Sequence, residues 1–253
     1  MTATNPGSQW RALSGRSVLG GIREGDLVFA TFTPVVFFVC FYVPLQNMAD
    51  TLGVNYAQYL LPVIVLQSML FTGIAAGERS ATDALGGMAV RLRALPVPRL
   101  IPMFARMSAN LIRAVLSLIG GIAIGYLAGF RFHGGLGSII GFVVIALLFA
   151  VAMSFGADAL GSIATNREAT GQMLMVPQLL FTMVSTGIVP AVGFPEWLQP
   201  FARNQPVSKV ADALRGLASD TVDATTITIA LAWILGMLVV FASAALHLAT
   251  KER

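Results

Sequence analysis

The sequence predicts an all-α integral membrane protein. Six transmembrane helices are expected, with an amphipathic cytoplasmic helix after the second and an outer re-entrant or interfacial helical segment before the sixth. Three observations predict this. Of 253 residues, 56% are hydrophobic and 11% charged, against about 25% charged in a soluble domain. Mean hydropathy is +0.78. Several apolar runs approach the roughly 20 residues that a helix needs to cross a bilayer. These runs are too long and too uniformly apolar for barrel strands.

Residues 1–26 are polar and carry Trp10, Arg11, Arg16 and Arg23. Val18 and Ile22 share a face that Arg16 and Arg23 avoid, which suits a short helix on the cytoplasmic surface. Gly20-Gly21 weakens that helix, and the alternative is a floppy tail. No cleavable signal is expected, because the first long apolar run starts near residue 27, after polar residues.

The spans are placed at 27–46, 57–78, 103–129, 137–163, 172–192 and 225–248, all within one transmembrane domain covering 1–253. With the N-terminus inside, twelve Lys and Arg fall on the inner side and four on the outer. Six spans return the C-terminus, with Lys251 and Arg253, to the inside. Both termini are therefore expected in the cytoplasm. The net charge of +4 and pI near 9.7 could suggest nucleic acid. The cations sit beside apolar runs, so bilayer orientation explains them better and no nucleic-acid partner is expected.

The loop 79–102 is the most informative connection. Ser80 and Asp83 have capping-box spacing. Ala81, Leu85, Met88, Leu92 and Leu95 follow on one helix face, and Pro96 and Pro98 stop it. With Arg79, Arg91, Arg93 and Arg99 around that stripe, the helix can lie on the membrane or dock in another protein's groove. A solvated connector whose arginines only set topology fits equally well.

Within the spans, Gly121, Gly125 and Gly129 form two overlapping GxxxG patterns, for close helix packing by default or for subunit contact. Arg113 and Asp158 lie at similar predicted depth and are expected to pair; alternatively Arg113 snorkels and Asp158 faces a cavity. The fifth span is the most polar, with Pro177, Gln178, Thr182 and Ser185. After it, Phe194, Trp197, Leu198 and Phe201 form one helical stripe. Val207, Val210, Ala211, Leu214 and Leu217 form a second, with Ser208, Lys209, Asp212 and Arg215 opposite. Neither is long enough to span, so both lie along the outer interface or fold back as a cap in 194–223.

Catalytic chemistry is missing. His133 and His247 are far apart, no metal-ligand spacing occurs, and no Walker A loop precedes Lys209 or Lys251. The chain is therefore expected to bind no cofactor or metal and to hydrolyse no ATP. Asp158 stands almost alone in the spans, too little for a proton relay. The single cysteine, Cys40, excludes an internal disulfide. A lipid-modifying enzyme would need a carboxylate or histidine cluster at one membrane face, and none is found.

The stretches ERSATDALGGMAVRLRALPVPRLIPMFARM and PEWLQPFARNQPVSKVADALRGLA, in this six-span layout, resemble the ABC-2 family of ABC exporter permeases, most closely the daunorubicin-resistance type. The fairly specific parts are Pro96-Val97-Pro98-Arg99 with Arg106, and Asn204-Gln205-Pro206 leading to Ala213-Leu214-Arg215. Glu78-Arg79 is kept, while Ala81-Thr82 stands where relatives often have Gly-Thr.

The resemblance implies a plasma (inner) membrane permease working with two copies of a separate nucleotide-binding ATPase, which uses the ATP and Mg, and with a second permease, the same or homologous. Arg79, Asp83, Leu85, Met88, Arg91, Leu92, Arg93, Leu95 and Arg99 would couple to the ATPase. The first, second and fifth spans would line the substrate route, with Gln67, Thr72, Gln178, Thr182 and Ser185 along it. Phe194, Trp197, Phe201, Asn204, Pro206 and Arg215 would form the outer gate. Such a path suits hydrophobic or amphipathic drugs or lipids. The alternatives are a permease for polysaccharide or lipid-linked glycan and a non-transporting membrane assembly subunit.

Overall fold

The computed structural model describes residues 6–23, 25–51, 55–87, 98, 100–187, 194–221 and 223–251. Among them there is no strand. The helices are α1 (Pro6–Arg23), α2 (Asp26–Thr51), α3 (Tyr56–Leu85), α4 (Ile101–Leu127), α5 (Leu136–Ser162), α6 (Arg167–Met183), α7 (Gln199–Asn204), α8 (Pro206–Ser219) and α9 (Ala224–Lys251).

The bundle is assembled around α3. Residues Leu60–Leu66 run without a polar side chain, and a helix that is apolar all round has to be enclosed. It packs against α2, α4, α5, α6 and α8. Of its most apolar stretch 83% is buried, against 17% for α2 and for α9. Those two helices turn residues such as Phe29, Phe32, Val239 and Val240 outward.

Among the described residues, five helices are long and apolar enough to cross a bilayer: α2, α3, α4, α5 and α9. The chain is a multi-pass membrane protein. The fifth expected span, 172–192, begins earlier and ends earlier than its composition suggested. Asn166 caps α6 by accepting hydrogen bonds from the Glu168 and Ala169 amides. The helix closes at Met183 after 17 residues, about 25 Å, and 188–193 lie outside the described residues.

The expected helix start at Ser80 is also corrected. Ser80 is buried inside α3, which runs on to Leu85. Capping-box spacing acts only where the helix already breaks, and Gly77 alone does not break one whose sides are packed. The chain leaves α3 at Gly86-Gly87, where Gly87 has φ 68°. The rest of the expected helix, to Leu95, lies outside the described residues.

Small residues set the helix spacing. A side chain at Gly161 of α5 would collide with the Gly77 carbonyl of α3 and press on Ser80. On α4, a Cβ at Gly120 would strike the Thr31 carbonyl of α2, and one at Gly125 would meet Leu61 at 2.7 Å. The glycine face of α4 therefore packs within the chain. The default reading of the GxxxG patterns holds for Gly121 and Gly125.

At the outer segment, α8 buries Val207, Val210, Ala211, Leu214 and Leu217 as its periodicity required. Ser208, expected on the polar side, is fully buried, and its hydroxyl accepts from the Thr186 amide at 3.1 Å. The stripe from Phe194 to Phe201 is not one helix, because α7 covers only Gln199–Asn204. Trp197 stands 78% exposed.

Candidate functional site

At the arginine-rich end of the bundle, four spans are joined by charge. Asp26 lies in the first turn of α2, where a carboxylate favours the helix dipole. Its Oδ2 receives Arg79 from α3 and Arg113 from α4. The helix register explains the second contact. Ser117, one turn beyond Arg113, donates to the carbonyl of Ala30, one turn beyond Asp26, at 2.5 Å. Buried Arg113 is thus set level with the carboxylate.

One layer away, Arg106 of α4 holds Asp158 of α5 by two hydrogen bonds, Nε to Oδ1 at 2.7 Å and Nη2 to Oδ2 at 3.0 Å. Its Nη1 lies 3.6 Å from Asp83 in the last turn of α3. Ser80 donates to the Asp158 carbonyl at 2.9 Å. The expected pair of Arg113 with Asp158 is therefore replaced by Arg113 with Asp26 and Arg106 with Asp158. Depth is the reason. Asp158 lies four residues from the end of α5 and Arg106 five from the start of α4, whereas Arg113 lies twelve in. At 1.5 Å per residue, only Arg106 matches Asp158.

These charges border a cleft of about 200 Å³ between α1, α3, α4 and α6, lined by Arg16, Arg79, Asp83, Arg106 and Arg167 among others. Of the expected coupling residues, Arg79 and Asp83 are in this network and Leu85 is exposed beside it. Met88, Arg91, Leu92, Arg93, Leu95 and Arg99 lie outside the described residues.

The expected route residues are all buried. Thr72 bonds back to the Met69 carbonyl at 2.6 Å, and Ser185 accepts from the Gly187 amide at 3.0 Å. The Gln178 amide, the Thr182 hydroxyl and the Gln67 carbonyl oxygen have no hydrogen-bond partner among the described residues. Gln178 and Thr182 are one turn apart on α6 and share its inward face. Gln178 also lines an apolar cavity of about 590 Å³ between α3, α5, α6, the start of α8 and α9.

At the opposite end, Arg215 of α8 is seated on α3 and on the chain leaving α6. Its guanidinium carbon lies 3.8 Å from the Tyr59 ring centroid. It donates to the carbonyls of Tyr59 at 3.3 Å, Thr186 at 3.2 Å and Gly187. Asp212 lies 3.6 Å away, one turn back. Burial pushes the Arg215 guanidinium below its ordinary range, with Tyr59 and Asp212 opposing. Burial raises the Asp212 carboxyl, with Arg215 and then Lys209 opposing.

The other expected gate residues are more open. Trp197, Phe201 and Asn204 are exposed and Phe194 is half-buried. Phe201 meets Phe181 of α6 at a centroid distance of 6.3 Å, and Pro206 borders the apolar cavity. Sequence reasoning missed Asp26 and Tyr59. Counting residues inward from the arginine-rich end of each helix would have found the Arg106 pairing. Nothing in the sequence announces the Tyr59 stack.

Residues 8–218 match the family model described as ABC-2 type transporter. The doxorubicin resistance ABC transporter permease protein DrrB of Mycobacterium tuberculosis is 32% identical over 223 residues, covering 85% of this chain and 77% of that protein. The probable doxorubicin resistance ABC transporter permease protein DrrC of the same organism is 26% identical, covering 85% of this chain and 78% of that protein. The daunorubicin resistance ABC transporter permease protein DrrB1 of Streptomyces coeruleorubidus is 26% identical, with 88% and 79% covered. The chain belongs to the ABC-2 type transporter family.

Proposed function

We propose that this chain is the permease subunit of an ATP-driven exporter of hydrophobic or amphipathic drugs. The observation that carries this reading is the 32% identity to a doxorubicin resistance permease across 85% of the chain. In this reading the engine is a separate nucleotide-binding ATPase, present in two copies, which binds ATP and Mg. A second permease, the same or homologous, completes the path.

The arginine-rich end is the cytoplasmic face. The excess of Lys and Arg expected on the inner side supports this, and two contacts bring helix ends together there. The start of α2 and the end of α3 meet there through Asp26 and Arg79. The last turns of α9, with Ala245 and Leu248, pack with Met103 and Ala159 at the same end. Both termini then face the ATPase, with α6 belonging to a sixth crossing.

Force from ATPase closure enters at the end of α3 and the following residues up to Arg99, where coupling is assigned. The Arg106–Asp158 and Asp26 ion pairs carry it to α2, α4 and α5 together. Gln67, Thr72, Gln178, Thr182 and Ser185 offer hydrogen bonds on the route through α3 and α6. The segment holding Phe194, Trp197, Phe201, Asn204, Pro206 and Arg215 is the outer gate.

The test is purification from the native membrane with mild cross-linking, followed by uptake of doxorubicin into inverted vesicles. A P-loop ATPase is expected to accompany the chain, and uptake to require ATP. Recovery of the chain without any such ATPase overturns the reading.

A further inference from the structure

The cavity beside Gln178 has features that a packing defect would lack. Its volume, about 590 Å³, falls within the roughly 300–1,000 Å³ of drug-sized ligand sites. It is walled by α3 and α5 behind and by α6 and α9 at the sides. Its rim residues Leu160, Met173 and Val240 are exposed and apolar, so it opens sideways into the surrounding apolar phase. Met153 and Met237 line it with thioether chains that adapt to irregular shapes.

Gln178 stands apart in this wall. It is 6% exposed, and neither its amide nitrogen nor its oxygen has a hydrogen-bond partner among the described residues. A buried amide left unmade is costly, and an acyl chain cannot relieve it. A glutamine side chain can re-aim its amide by rotamer change alone, with α6 in place.

We propose that this cavity is a lateral binding site for an amphipathic compound with a largely apolar body and one hydrogen-bonding group, which Gln178 recognises. The compound enters from the lipid phase between α6 and α9. This rests on the exporter reading and adds to it a place within one permease chain where cargo is held before it moves.

The experiment titrates doxorubicin onto the intact permease–ATPase complex in nanodiscs of phosphatidylcholine and phosphatidylglycerol, without nucleotide. Gln178→Leu keeps the side chain's bulk and is expected to weaken binding about tenfold, the worth of one buried hydrogen bond. Ala244→Trp plugs the rim from an exposed position on α9 and is expected to abolish saturable binding. Unchanged affinity in either variant, with the complex intact by size exclusion, overturns the proposal, as does absence of saturable binding to wild type. Should Gln178→Leu fail to assemble, Ala244→Trp decides alone. ATP-driven uptake is measured in parallel. Binding without uptake in the wild type counts against the exporter reading and leaves this site standing. Uptake with unaltered binding in both variants does the reverse.

Discussion

Arg106 grips Asp158 through two parallel hydrogen bonds, at 2.7 and 3.0 Å, between neighbouring helices. The carboxylate is almost wholly enclosed, at 4% side-chain exposure, and the guanidinium is at 18%. Losing one partner of so enclosed a pair strands a charge. Asp158→Asn is expected to cost about 2 kcal/mol, less than a fully buried pair because Asp83 also faces Arg106. Arg106→Lys keeps the charge but loses the fork, so it is expected to lie between Asp158→Asn and wild type. A double-mutant cycle of Arg106→Gln with Asp158→Asn should show coupling of about 1 kcal/mol or more, and one of Arg113→Gln with Asp158→Asn near additivity. Coupling confined to the second cycle would refute the pairing.

Arg215 on Tyr59 fastens α8 to α3, and the same guanidinium reaches the carbonyls that follow α6. Arg215→Lys preserves charge but loses the planar contact with the ring and most of the simultaneous carbonyl bonds. The expected result is faster amide hydrogen exchange in α8, with the arginine-rich end unchanged. Protection equal to wild type in α8 would show that the apolar face of the helix suffices alone.

Asp212 yields a prediction against intuition. Its carboxyl is raised because burial outweighs Arg215 and Lys209. A carboxyl raised on folding contributes stability below its unfolded value and loses it as pH rises through the folded value. At pH 7 the charged form is therefore a net burden in spite of its ion pair. Asp212→Asn is expected to leave stability unchanged or to raise it slightly, by less than about 1 kcal/mol, because the carboxylate is only half-buried and solvent screens it. The difference from wild type should fade below about pH 4. A clear loss of stability in Asp212→Asn at pH 7 contradicts this.

How much of this was legible in the residues varies with the physics involved. The spans of α2, α3, α4, α5 and α9 were readable because apolar length is a property of the chain alone. The buried stripe of α8 was readable for the same reason, since period and polarity coincide at Val207, Val210 and Leu214. Ser80 was misread because a cap signal is conditional on a break, and tertiary packing against Gly161 keeps α3 going. The partner of Arg113 was misread because composition places a charge in a span without giving the relative heights of neighbouring helices. Asp26 is level with Arg113 through the Ser117–Ala30 register, and Gly120 lets α4 approach α2 closely at Thr31.

Close helix approach is testable at Gly161, where α5 crosses α3. A methyl there would meet the Gly77 backbone, which cannot swing aside as a side chain tip can. Gly161→Ala is expected to destabilise the bundle by about 1–3 kcal/mol despite the better helix propensity of alanine. Gly236→Ala in α9, with open space around it, is the control and is expected to be neutral or mildly stabilising. Equal melting temperatures for the two variants would mean that α3 and α5 cross less tightly than described.

The last prediction concerns Arg91 and Arg93, between the end of α3 at Leu85 and the start of α4 at Ile101. The described ion pairs that join α2, α3, α4 and α5 are made by Asp26, Arg79, Arg106, Arg113 and Asp158, so reversing the charge at Arg91 and Arg93 is expected to leave these in place. Guanidinium groups prefer carboxylate-edged surfaces, where paired bonds form. Arg91→Glu with Arg93→Glu is expected to cut recovery of the ATPase with the chain at least tenfold, while membrane insertion and melting temperature stay at wild-type values. Restoring Lys at both positions is expected to recover part of the association, since charge returns without the fork. Full ATPase recovery and full transport in the glutamate variant would move the coupling surface away from this loop, leaving the cleft between α1 and α4 as the next place to reverse a charge.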